Sequence, residues 1–255
     1  STKEYDGVEL TNTDLFINTE AILENQEIKA ETLGKITDVG EVQNDIFAQV
    51  VDLNGNDVSS NYTFEYTPGK LVILGRKISI QTETMTKEYD GQPLIATTYS
   101  IKTGSLVDGD YIDASVKGEI TDVGNTYSDF ESFGIYNSLG EDNSKNYTVT
   151  ITAGILTITK REIVVTTGSL SVIYDELPHR EETYALSGGK LVDGHNLEVL
   201  YLNSRTDVGT IVNSASVKVL NSQDDVSRNY DVHVIEGSIT ILPREIFIKT
   251  RTFWG

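Results

Sequence analysis

The sequence predicts an all-β chain of three tandem β-sandwich repeats. Three observations predict it. First, short motifs occur in triplicate. Glu4-Tyr5-Asp6-Gly7 returns as Glu88-Tyr89-Asp90-Gly91 and, altered, as Ile173-Tyr174-Asp175-Glu176. Thr37-Asp38-Val39-Gly40 returns at Thr121–Gly124 and Thr206–Gly209, and Asn61-Tyr62 returns at Asn146-Tyr147 and Asn229-Tyr230. The period is about 84 positions, longer than a solenoid coil and enough for a small complete domain. Second, the stretch after each Asn-Tyr alternates apolar and polar residues with period two, the signal of a half-buried strand. Third, helix signals are poor, and turn signals recur at regular spacing with only 4 prolines in 255 residues.

The elements follow in order. Repeat 1 covers residues 1–75, repeat 2 residues 76–160 and repeat 3 residues 161–243. Repeats 2 and 3 each open with a strand, carried by Ile78 and Ile80 and by Ile163 and Val165. Repeat 1 begins at Ser1 without it, while residues 244–255 read as the orphan first strand of a following repeat. An unpaired edge is a template for pairing. Residues 245–249 are therefore expected to exchange into the open edge of repeat 1 in a neighbouring molecule. The Tyr-Asp-Gly motif reads as a turn, with Asp bonding the backbone beyond it and Gly tolerating positive φ. Ala21–Ile28 carries helix formers, but its counterpart Ser105–Ile112 is turn and strand, so both read as loop or strand. Thr-Asp-Val-Gly reads as a strand end and an Asx-type turn.

The stretch from Asp57 to Tyr62, repeated at Asp142–Tyr147 and Asp225–Tyr230, leads into the alternating strand. Its tyrosine is placed to tie a hydroxyl to the backbone of a cross-over loop, the role of a tyrosine corner. Strands follow at Tyr62–Tyr66, Tyr147–Ile151 and Tyr230–Val234. Gly69, Gly154 and Gly237 have the spacing of hairpin turns into the next strands. Basic joints follow at once: Gly75-Arg76-Lys77, Lys160-Arg161-Glu162 and Pro243-Arg244-Glu245. They are too short for flexible linkers. The expected assembly is a stiff rod on the order of 100 Å long at ~3.3 Å per strand residue.

Composition narrows the chemistry. The formal net charge is −19, from 39 acidic and 20 basic residues. That opposes binding to nucleic acid or to anionic lipid. No cysteine is present, which removes thiol catalysis and zinc-thiolate sites. No apolar run approaches the roughly eighteen residues of a membrane span. Asp52-x-Asn54-x-Asn56 partly matches a calcium loop, but its counterparts in repeats 2 and 3 lose the pattern, and a polar hairpin is the better reading. His179, His195 and His233 share no ligand spacing. No lysine recurs at one position in all three repeats, so an isopeptide bond common to every repeat is excluded. No catalytic, cofactor-binding or metal residue is nominated, and no cofactor is expected.

Lys87–Leu94, Gly118–Gly124, Asn146–Val149 and Gly154–Arg161 together resemble the tandem repeats called MBG or YDG-type domains of large bacterial surface proteins. The likeness spans essentially the whole chain and is strongest in repeat 2. It implies immunoglobulin-like or related sandwiches in a secreted or wall-attached protein, with no catalytic residues. The function expected is a non-catalytic, rigid stalk at the bacterial cell surface or cell wall, whose partners are neighbouring repeats of the parent protein. The alternative is an adhesin-type module that binds host protein or glycan.

Overall fold

The computed structural model describes residues 1–251. The chain is all-β: among the described residues the only helical stretches are 3-10 turns at Ser59–Asn61, Ser144–Asn146 and Ser227–Asn229. It forms two compact units. One comprises residues 1–83, 97–117 and 128–154; the other comprises 84–96, 118–127 and the chain from 155 onward. The units therefore do not follow the sequence repeats. Each contains one boundary between repeats, and repeat 2 contributes to both.

The first unit is organised by the strand Arg76–Thr82, here called a lead strand. Its alternating Ile78, Ile80 and Thr82 point inward and are almost wholly buried. Each isoleucine so buried contributes about 1.5–3 kcal/mol. The lead strand lies between Tyr99–Thr103, antiparallel, and the return strand Tyr147–Thr152, parallel, with Ile78 opposite Val149 and Ile80 opposite Ile151. A hairpin faces it, pairing Tyr111–Lys117 with residues 129–136. Ile112, Phe130, Phe133 and Ile135 from this hairpin pack on Ile78 and Ile80.

The second unit repeats the arrangement. Its lead strand Arg161–Thr167 lies between Tyr184–Gly189, antiparallel, and the return strand Tyr230–Ile235, parallel. The inward face is Ile163, Val165 and Thr167, and the facing hairpin pairs His195–Tyr201 with Ala215–Asn221.

Each repeat also has an exit strand. Gly69–Leu74 pairs with Thr2–Glu4 in parallel and with Gly40–Asn44 antiparallel. Gly237–Leu242 does the same with Leu170–Ile173 and Gly209–Asn213. Only Gly75 and Lys160 separate an exit strand from the lead strand that follows it.

Three sequence expectations are corrected here. Gly69, Gly154 and Gly237 are not hairpin turns: no strand immediately precedes Gly69, and after Gly154 and Gly237 the exit strands belong to other sheets than the return strands, which pair with the lead strands. The chain changes sheet at these glycines, and there the backbone runs against the end of the lead strand. A Cβ on Gly154 would lie 2.1 Å from the Glu83 carbonyl, and one on Gly237 would lie 2.1 Å from the Gly168 carbonyl. Gly69 has nothing within 4 Å. Secondly, Tyr62–Tyr66 is not a strand. Its counterparts are held by a lead strand, and repeat 1 has none beside it, so the alternating pattern has no backbone partner. Residues 245–249 are not in a strand either, and residues 252–255 of that terminal segment lie outside the described residues.

Candidate functional site

The three recurring motifs meet in one place, at the boundary between successive repeats. In the first unit Tyr5 of repeat 1 sits edge-on to Tyr147 of repeat 2, with ring centroids 5.8 Å apart. In the second unit Tyr89 of repeat 2 meets Tyr230 of repeat 3 in the same way, at 5.6 Å. All four rings are buried. The Tyr-Asp-Gly turn presents the first ring. Asp6 accepts the Val8 N–H at 2.9 Å and the Lys3 ammonium at 2.6 Å; Asp90 does the same with Gln92 and Lys87. The lysines hold both carboxyls below their ordinary value. In repeat 3, where Val172 stands at the lysine position, His179 Nε2 lies 2.9 Å from Asp175 instead.

Asn146 joins the repeats. It is wholly buried. Its Oδ1 accepts the Val39 N–H at 2.8 Å, and its Nδ2 donates to Asp38 at 2.9 Å and to Asn143 at 2.6 Å. Lys145 donates to the other Asp38 oxygen at 2.7 Å. Lys145 and then Asn146 lower the Asp38 pKa, and Asp38 raises that of Lys145. The second boundary matches: Asn229 accepts from Val123 N–H and donates to Asp122, and Arg228 takes the place of Lys145. The aspartate of Thr-Asp-Val-Gly thus serves as a contact between repeats, where the sequence suggested only a turn. The available signal was that this aspartate and the asparagine of Asn-Tyr recur with one period.

The joint arginines each reach back to the carbonyl of the motif tyrosine. Arg76 donates to the Tyr5 carbonyl at 3.3 Å, Arg161 to that of Tyr89 at 3.2 Å, and Arg244 to that of Tyr174 at 3.1 Å. The tyrosine hydroxyls tie back to a loop, as a tyrosine corner does. Tyr147 Oη accepts the Val107 N–H at 2.9 Å and donates to Asp110, and burial pushes its pKa up. Tyr230 Oη accepts the Val192 N–H at 3.1 Å, with His195 Nδ1 at 2.7 Å. His195 stands where repeat 2 has Asp110. Burial lowers its pKa and so favours the neutral ring, whose unprotonated nitrogen can accept a hydrogen bond.

These groups are committed to one another, and what they do is hold two repeats in one register. Asp52 likewise serves its own hairpin, accepting the Asn54 and Asn56 N–H groups at 2.9 Å. His233 Nε2 lies 3.6 Å from Asp231 and 3.8 Å from Glu162. Among the described residues no group of three or more His, Asp or Glu side chains is placed to hold a metal ion. No described helix is long and apolar enough to cross a membrane. A scan against protein-family models finds no match, and a search of curated proteins finds none.

Proposed function

We propose that this chain is a non-catalytic segment of a bacterial surface protein, three immunoglobulin-like repeats that act as a stiff stalk outside the cell. One observation carries the reading. At both boundaries in the chain, the recurring tyrosines, aspartate and asparagine fasten one repeat to the next, through a shared core and a buried asparagine. A binding or catalytic module would instead place its recurrent polar groups toward solvent. Small-angle scattering of the 255-residue chain tests it. A rod on the order of 100 Å long has a radius of gyration of about 30 Å, whereas a globule of this size has about 18 Å. The smaller value would overturn the reading.

The adhesin reading is favoured by a different observation. Tyr111 is exposed and stacks on Tyr136 at 5.9 Å, and Tyr127 is exposed as well. Exposed tyrosines are frequent anchors of protein and glycan contacts. A glycan array and a host-matrix screen with the intact chain test this, and binding that Tyr111→Ala leaves unchanged would count against it.

A further inference from the structure

Repeat 1 carries an open groove of about 800 Å³. Its flanks are Leu15–Asn18 and Tyr62–Tyr66, and its floor includes Ile28, Ile46, Ala48 and Val50. The counterparts of the flanks in repeat 2 are Tyr99–Thr103 and Tyr147–Thr152, the two neighbours of a lead strand. The groove is therefore a lead-strand slot. At the other end of the chain, Ile246, Phe247 and Ile248 are 82%, 85% and 90% exposed. Residues 244–250 read Arg-Glu-Ile-Phe-Ile-Lys-Thr, against Arg-Lys-Ile-Ser-Ile-Gln-Thr at 76–82 and Arg-Glu-Ile-Val-Val-Thr-Thr at 161–167. Arg244 already makes the contact with Tyr174 that Arg76 and Arg161 make with Tyr5 and Tyr89.

We propose that residues 244–250 of one molecule occupy the repeat 1 groove of a second copy as its lead strand. Ile246 and Ile248 then take the inward positions of Ile78 and Ile80. Thr250 takes that of Thr82, whose hydroxyl donates to the Ser128 carbonyl at 2.9 Å and accepts the Gly154 N–H at 2.7 Å. Asn44 and Gly69, which line the groove, stand at the positions of Ser128 and Gly154. The rest of a joint stands ready on both sides. Asn61 is exposed where Asn146 and Asn229 are buried, and Tyr174 is only half-buried where Tyr5 and Tyr89 are buried. The contact joins two different surfaces, so it adds molecules head to tail and does not close as a dyad would.

Light scattering coupled to gel filtration tests this on the 255-residue chain. The expected result is a mass that rises above the 28.1 kDa monomer with concentration, into the high micromolar range. Gly69→Ala blocks the slot, because the added Cβ meets the incoming strand as it would at Gly154, while nothing lies within 4 Å of it in the single chain. Ile246→Asp with Ile248→Asp disables the strand at exposed positions. Each variant alone is expected to stay monomeric with unchanged circular dichroism, and their equimolar mixture to give a dimer that grows no further. Adding a copy of residues 244–252 directly before Ser1 places a lead strand in register with the chain's own slot, and this chain is expected to stay monomeric. A monomeric parent chain, or association that both variants retain, would overturn the proposal.

Discussion

Tyr5 and Tyr147 pack edge to face at an interplanar angle of 73°, although they belong to different repeats. Tyr89 and Tyr230 do the same at 75°. The pair is the centre of a core that neither repeat builds alone. Tyr5→Ala should therefore weaken the first unit by about 3–5 kcal/mol, as large aromatic truncations do. A double-mutant cycle of Tyr5→Leu and Tyr147→Leu, read by urea unfolding, should return a coupling of about 0.5–1.5 kcal/mol. Additive losses would show that the two rings do not support each other.

Position along the chain should decide what an asparagine is worth. Asn146→Ala removes an acceptor from the Val39 N–H and a donor from Asp38 inside a closed boundary. The expected loss is roughly 3 kcal/mol, from buried groups left unpaired. Asn61→Ala, at the exposed counterpart, should change stability by less than about 0.5 kcal/mol. Equal effects of the two substitutions in chemical unfolding would be incompatible with this account.

Glu176 has φ of 70°, where Gly7 and Gly91 have 76° and 75°. A side chain in this region costs about 1 kcal/mol. In the first two repeats the glycine is doubly required: an added Cβ would stand 3.1 Å from Val107 at Gly7 and 2.9 Å from Val192 at Gly91. Glu176→Gly should stabilise repeat 3 by roughly 0.5–1 kcal/mol, offset by the greater freedom of glycine in the unfolded chain. Calorimetry on the full chain reads it as a rise in the transition of the second unit.

Acid should loosen the joints. The Asp6, Asp38, Asp90 and Asp175 carboxyls all sit below their ordinary value of 3.8 in the folded chain. A depressed folded-state pKa contributes stability above the unfolded value and loses it as pH falls through the folded value. The denaturation midpoint should therefore drop as pH falls below about 4. Asp38→Asn with Asp6→Asn should start lower and show a flatter acid limb. An acid limb equally steep in the double variant would place the effect elsewhere.

Much of this architecture was legible in the sequence, in specific ways. The alternation of Ile78 and Ile80, and of Ile163 and Val165, marked the lead strands correctly, because period two on a buried face has few other meanings. Asp6 and Gly7 read correctly as turn chemistry, since both act within three residues. What escaped was anything acting between copies. Aligning the repeats compares Asp38 with Asp122, but the partner of Asp38 is Asn146 in the following repeat, which such an alignment never sets beside it. Gly154 was misread for a related reason: a glycine after a strand suggests a hairpin, and the carbonyls of Thr82 and Glu83, at the end of the lead strand and just past it, explain it. The joint was therefore present in the sequence as three motifs with one period, without a statement that they touch.

The parallel pairing of lead and return strands has a mechanical consequence. Tension along the chain enters the lead strand at Arg76 and leaves the return strand at Thr152, opposite ends of a parallel pair whose register runs from Arg76–Tyr147 to Gln81–Thr152. Such a pull slides the strands past each other and loads the whole ladder at once, where an antiparallel hairpin would unzip bond by bond. Arg161–Thr167 beside Tyr230–Ile235 is strung in the same sense. Each lead and return pair is thus a shear clamp inside its repeat, built to fail late under stretching.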